Sequence, residues 1–171
     1  FGTQDHRQGY VSMTWKATPK ITFRTRTGVE WRGFRRLNAP PEKTGIVTST
    51  TLEWRASEST RVAASFSVRN QPSVTESGSL FCETRGGIEA EHDLGGGFYA
   101  RCEVDYAVRA YDSGRRESEI NVRPAAGYRL LAGALCDSVR VEAFYQFRRH
   151  WNRGAAGYDR NQCGIQLAAL F

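Results

Sequence analysis

Apolar and polar residues alternate along almost the whole chain. In the last segment, Asp159 to Phe171, the positions Phe171, Ala169, Leu167, Ile165 and Cys163 share one face, and Leu170, Ala168, Gln166, Gly164 and Gln162 share the other. A period of two over such a length is the signature of a strand. Seven earlier segments repeat it. Residues 20–34 set Ile21, Phe23, Val29 and Trp31 against Arg24, Arg26, Glu30 and Arg32, and residues 45–55 set Ile46, Leu52 and Trp54 against Ser49, Glu53 and Arg55. Residues 60–69 oppose Val62, Phe66 and Val68 to Arg61, Ser65 and Arg69, and residues 80–91 oppose Leu80, Cys82 and Ile88 to Glu83, Arg85 and Glu91. The pattern is cleanest in 98–111, where Phe98, Cys102, Val104, Tyr106 and Val108 face away from Arg101, Glu103, Asp105 and Arg109. It continues through 117–131, with Ile120, Val122 and Tyr128 against Glu119, Asn121, Arg123 and Arg129, and through 138–150, with Val139, Val141, Tyr145 and Phe147 against Arg140, Glu142, Gln146 and Arg148.

Turn residues separate the segments. Ser57–Ser59, the Gly-rich stretch Asp93–Gly97 and DSGRR make tight reversals, while FRRLNAPPEKTG, NQPSVTESG and WNRGAAGY make longer ones. Residues 1–18 are less regular: Gln4–Gln8 is polar, and Tyr10–Trp15 has the length of a short strand. They are read as an extension, in the periplasm or in the mouth of the fold, ahead of one domain over 19–171. The expected architecture is all-β, an eight-stranded antiparallel up-and-down barrel. Pro124 is the misfit, because a proline removes a ladder hydrogen bond, and a bulge or local break is expected there.

Segments near a dozen residues are long for a globular sheet and suit strands tilted across a bilayer. Composition does not oppose this. Mean hydropathy is −0.53, and no run approaches the roughly 18 apolar residues of a membrane helix, but barrel strands dilute lipid-facing residues with lumen-facing polar ones. Three features favour a membrane barrel over a soluble one such as a lipocalin. The connections alternate in kind, with longer ones gathered at one end. The polar face carries charges of both signs, which must pair inside a narrow barrel. The apolar face has aromatics toward both ends: Phe23, Trp54, Phe98, Tyr128 and Phe171 at one, and Trp31, Tyr106, Tyr145 and Phe147 toward the other.

The final strand, with its terminal Phe171 and with Ala169, Leu167 and Ile165 at alternate positions before it, resembles the C-terminal signal of bacterial outer-membrane β-barrel proteins. The run YDRNQCGIQLAALF after FYQFRRHW is similar to the closing hairpin of β-barrel porins, and in size the chain resembles the small barrels typified by the OmpA transmembrane domain. The resemblance implies a location in the outer membrane and recognition of the last strand by the barrel-assembly machinery.

The charges supply the candidate functional residues. A lumenal network of Asp105, Arg123, Arg109, Glu119, Arg85 and Glu103 is expected to plug the barrel. Symmetric closure of DSGRR about Gly114 would oppose Arg109 to Glu119 and Asp105 to Arg123, and the last hairpin would oppose Phe147 to Cys163 and place Phe171 beside Val139. The net charge of +6 concentrates Arg at the long-loop end. There Arg115, Arg116, Arg149 and Arg153 form a rim suited to the phosphates of lipopolysaccharide, since guanidinium pairs with phosphate bidentately. Nucleic acid is not expected as a partner, because most of the Arg alternates with apolar residues on strands beside acids. Cys82, Cys102, Cys136 and Cys163 form no CxxC pair, and His6, His92 and His150 are scattered, so neither metal nor cofactor is expected. An enzyme would need a nucleophile beside a base; His150 is followed by Trp151 and Asn152 rather than by Ser, and is read as a rim residue. The expected role is a non-enzymatic outer-membrane anchor or subunit of an envelope assembly, with a narrow channel as the alternative and a lipid-modifying enzyme or soluble binder behind it.

Overall fold

The structure, a computed structural model, describes residues 3–35, 43–72, 80–131, 138–152 and 155–170. They form nine strands: β1 (Thr3–Thr18), β2 (Ile21–Arg35), β3 (Lys43–Arg55), β4 (Thr60–Pro72), β5 (Leu80–Gly95), β6 (Phe98–Tyr111), β7 (Arg116–Leu131), β8 (Ser138–Asn152) and β9 (Ala155–Leu170). Each pairs antiparallel with the next, in one sheet of order β1 to β9. The up-and-down plan is as expected.

The expected number of strands is corrected from eight to nine. Residues 3–18 are a full strand instead of an extension, with Thr3 opposite Arg35 and Thr14 opposite Arg24. Polar residues such as Gln4, Gln8 and Ser12 hide the alternation there, yet Val11, Met13 and Trp15 continue the apolar face of β2. The expected closed barrel is corrected as well: among the described residues no ladder joins β9 to β1.

Ladder parity keeps the two faces separate across the sheet. Phe23 faces Leu52, Leu52 faces Ala64, Ala64 faces Ile88 and Ile88 faces Val104, so each apolar residue meets another. Two registers differ from expectation by two residues. Arg109 opposes Glu117, and Glu103 opposes Arg123; Tyr145 opposes Cys163, and Val139 opposes Ala169. A two-residue slip changes partners but leaves every side chain on its face, whereas a one-residue slip would invert the strand. The WNRGAAGY connection is shorter than it reads, because β8 and β9 extend into it and leave only residues 153 and 154 between them.

Pro124 behaves as its chemistry requires. The β7–β8 ladder passes from Val122–Phe147 to Ala125–Phe144 with the intervening pairs missing and no change of register, while the β6–β7 ladder runs through Cys102–Pro124 unbroken. Hairpin geometry uses glycine where φ must be positive, at Gly95, which ends β5, at Gly96 and Gly97 before β6, and at Gly114 between β6 and β7.

The sheet's burial is inverted relative to a water-soluble domain. Among the described residues the buried polar and charged set includes Glu83, Asp105, Glu119, Asn121 and Glu142, while Ile88, Tyr106, Ile165 and Leu167 are exposed. Of the few buried apolar residues, Tyr99, Ala107 and Ala125 lie on the polar face. The polar face is therefore the crowded, concave one, and the apolar face points outward.

Candidate functional site

The concave face of β5–β9 is densely charged, with one network of pairs toward the β6–β7 turn and a second toward the β5–β6 turn. Asp105 accepts from Arg85 Nη1 at 2.7 Å and from Asn121 Nδ2 at 2.7 Å, and Asn121 Oδ1 accepts from Gln146 at 2.6 Å. Arg109 donates to Glu83 at 2.9 Å and to Glu119 at 3.5 Å. Arg85 approaches Glu83 at 3.5 Å, and Arg148 approaches Glu119 at 3.7 Å. Charges this deeply buried are tolerated because they pair; an isolated one would cost several kcal/mol, of the order of 3–5.

Toward the β5–β6 turn the network centres on Glu142. It accepts from Tyr99 Oη at 3.1 Å, Arg101 at 2.9 Å and Arg123 at 3.0 Å. Arg123 also donates to Gln166 on β9 at 3.0 Å. Glycine makes room for the aromatic here: Tyr99 lies across Gly127, where an added Cβ would stand 2.6 Å from the ring carbon Cζ. The guanidinium carbons of Arg129 and Arg140 sit 4.7 and 5.3 Å from the Tyr99 ring centre. Glu91 pairs with Arg129 and lies 3.7 Å from Arg140, and Arg61 on β4 bonds Glu89 at 3.2 Å.

The expected lumenal residues are therefore brought onto one face, with some partners exchanged. Arg85, Asp105, Arg109 and Glu119 are joined as described. Arg123 serves Glu142 instead of Asp105, because the register puts Asn121 opposite Asp105. Glu103 lies between Glu89 and Arg123 across the ladders and has no ion pair among the described residues. Glu142, Tyr99 and Asn121 escaped attention in the sequence as site residues; the signal for Tyr99 is an aromatic on the polar face opposite a glycine.

The concave face of β1–β4 is different. Glu30 is nearly fully buried and receives Gln8 at 2.7 Å, Arg32 and His6, the last at 3.5 Å. Arg24 pairs with Glu53. Around these lies a groove of about 610 Å³ lined by Tyr10, Arg26, Ser49, Arg69 and Gln71 among others.

At the long-loop end, Arg149 and Arg116 are on the outer face. Arg149 makes a bidentate pair with Asp159 at 2.8 and 2.7 Å and lies over Phe147. Arg115 bonds Glu117 and lies over Tyr111. His150, expected at the rim, is buried on the concave face, 3.3 Å from Glu117 and stacked on Tyr158 with ring centres 5.0 Å apart. Among the described residues no Ser or Cys bonds to it. His92 bonds Thr60 at 2.9 Å. Cys82, Cys102 and Cys163 are free thiols on the apolar face. Ile165 and Leu167 are exposed on the outer face of β9, and Ala169 pairs with Val139. Arg153, Phe171 and Cys136 lie outside the described residues.

The sequence pattern of the family described as "Putative beta-barrel porin 2" matches residues 12–170. The chain belongs to this family. As a member of this porin family it is an outer-membrane β-barrel protein, and its place is the bacterial outer membrane. No curated protein matches the sequence. Solved structures agree on the fold. The chain is similar to OmpT, an outer membrane protein of Vibrio cholerae, with a TM-score of 0.63 at 13% identity, covering 94% of this chain and 54% of that one. The trimer form of OmpT gives a TM-score of 0.62 at 11% identity, covering 95% and 55%. A variant of OmpT lacking loop L8 gives 0.61 at 9%, covering 94% and 52%. The porin-family chain thus spans about half the length of the structures it matches.

Proposed function

We propose that this porin-family chain forms the wall of a non-enzymatic outer-membrane pore, with its charged face turned to water and its apolar face to lipid. The observation that carries the reading is the inverted burial: Glu142 and Glu119 are buried while Ile165 and Leu167 are exposed. In water that arrangement is costly; in a bilayer it is what the solvent selects. An unpaired sheet edge does not persist in hydrocarbon, so in the membrane β1 and β9 are paired, to each other or to further strands. A lumen plugged by charge follows from an eight-stranded closure, and a nine-stranded unclosed sheet removes that geometric reason.

The alternative, an anchor or subunit of an envelope assembly, draws its support from the dense ion pairing of β5–β9, which makes a stiff wall. Lipopolysaccharide at outward Arg116 and Arg149, and assembly machinery acting on β9, belong to the same proposal. Conductance of the purified protein in planar bilayers tests it. Discrete open-channel currents are expected. Correctly folded protein that never conducts would overturn the pore and leave the anchor.

A further inference from the structure

The two halves of the concave face treat their cations differently. On β5–β8, Arg85, Arg101, Arg109 and Arg123 each bond a carboxylate. On β1–β4, Arg26, Arg55, Arg69 and Lys16 have no carboxylate partner among the described residues, although Arg24 and Arg32 on β2 and Arg61 on β4 are paired. We propose that the concave face of β1–β4 is a binding track for small oxyanions, carboxylates or phosphates, which the protein passes in preference to cations. This rests on the pore reading above.

Three observations support the track. First, the unpaired cations line two grooves on the same strands. The groove of about 610 Å³ holds Arg26 and Arg69, and a second of about 290 Å³ toward the β1–β2 turn holds Lys16, Lys20 and Arg55. Together they form a basic stripe along the strand direction. Second, the side chains between Arg26 and Arg69 are small. Arg26 opposes Ser49 across the β2–β3 ladder, and Ser49 opposes Ser67 on β4, so a solute has room beside the guanidinium. Third, Arg26 is held in place without being neutralised. Its guanidinium carbon lies 3.2 Å from the centre of the Tyr10 ring. A stacked guanidinium keeps its in-plane N–H donors for a planar oxyanion, to which it can donate two parallel hydrogen bonds.

The chemistry favours anions over neutral polar solutes. Fixed positive charge on a low-dielectric wall raises the local concentration of counter-ions. The paired half of the face contributes little, since its Arg charges are offset by Glu83, Asp105, Glu119 and Glu142. The selectivity therefore resides on β1–β4.

The test uses the native protein in planar bilayers under a KCl gradient, with the reversal potential as the readout. Chloride is expected to carry more current than potassium. In the Arg26→Gln/Arg69→Gln variant the chloride-to-potassium permeability ratio should fall by about threefold with channels still open. Arg7→Gln, on the outer face of β1, should leave the ratio unchanged. Inorganic phosphate should reduce chloride current through the native channel and not through the double variant. An open channel that prefers potassium, or whose ratio and phosphate response are the same in both proteins, would overturn the track while leaving the pore intact. Folded protein that opens no channel would overturn the pore reading and the track with it.

Discussion

Removing either Arg85 or Asp105 leaves the other charge on a crowded face without its 2.7 Å partner. Arg85→Ala and Asp105→Ala should therefore show a coupling of roughly 0.5–3 kcal/mol in a double-mutant cycle of urea unfolding in lipid. Asp105→Ala and Arg123→Ala should be additive to within about 0.5 kcal/mol, because Arg123 bonds Glu142 instead. The opposite result would restore the register expected from the symmetry of DSGRR. That these residues share one face was legible from alternation alone. Which acid meets which base was not, because partner choice depends on where the β6–β7 turn closes, and nothing local distinguishes closure about Ser113 from closure about Gly114. Gly127 makes a second residue-level point. An alanine there meets Tyr99 and the Val141 carbonyl oxygen, whereas at Gly86 the nearest contact is an ordinary 3.8 Å. Gly127→Ala should cost about 1–3 kcal/mol and lower the temperature of heat modifiability on gels, while Gly86→Ala should leave it nearly unchanged.

Strand β9 gives the clearest contrast at the level of elements. Ile165 and Gln162 lie on opposite faces, and Ile165 is 79% exposed on the outer one. Ile165→Arg should cost about 2–4 kcal/mol near the bilayer midplane and reduce assembly into membranes, while Gln162→Arg should assemble normally. Equal assembly of the two variants would mean that β9 does not face lipid. All eight expected strands begin and end within a few residues of their expected places because strict alternation persists through them. β1 escaped recognition because its concave face is uncharged over Gln8–Thr14 and the start of its outer face includes Asp5 and Arg7, which blurs the contrast that marks the other strands. The extra length of β8 and β9 escaped for a related reason. The glycines and alanines of WNRGAAGY read as a loop, yet His150 pairs with Tyr158 and carries the ladder past them.

For the whole molecule, the outward apolar face is the central claim. The choice between a soluble and a membrane barrel was legible from the chain's aromatics and its final strand, and family membership agrees with it. Closure was not legible. Sheet curvature and strand number are set jointly by tilt, stagger and the strands available, and alternation reports none of these. The tryptophans give a direct measurement. The chain has four, Trp15, Trp31, Trp54 and Trp151, and the ladders place all of them on the apolar face. In vesicles whose acyl chains carry bromine, the protein's fluorescence should be strongly quenched, and aqueous iodide should have little effect. Quenching by iodide with none by the brominated chains would contradict the outward apolar face.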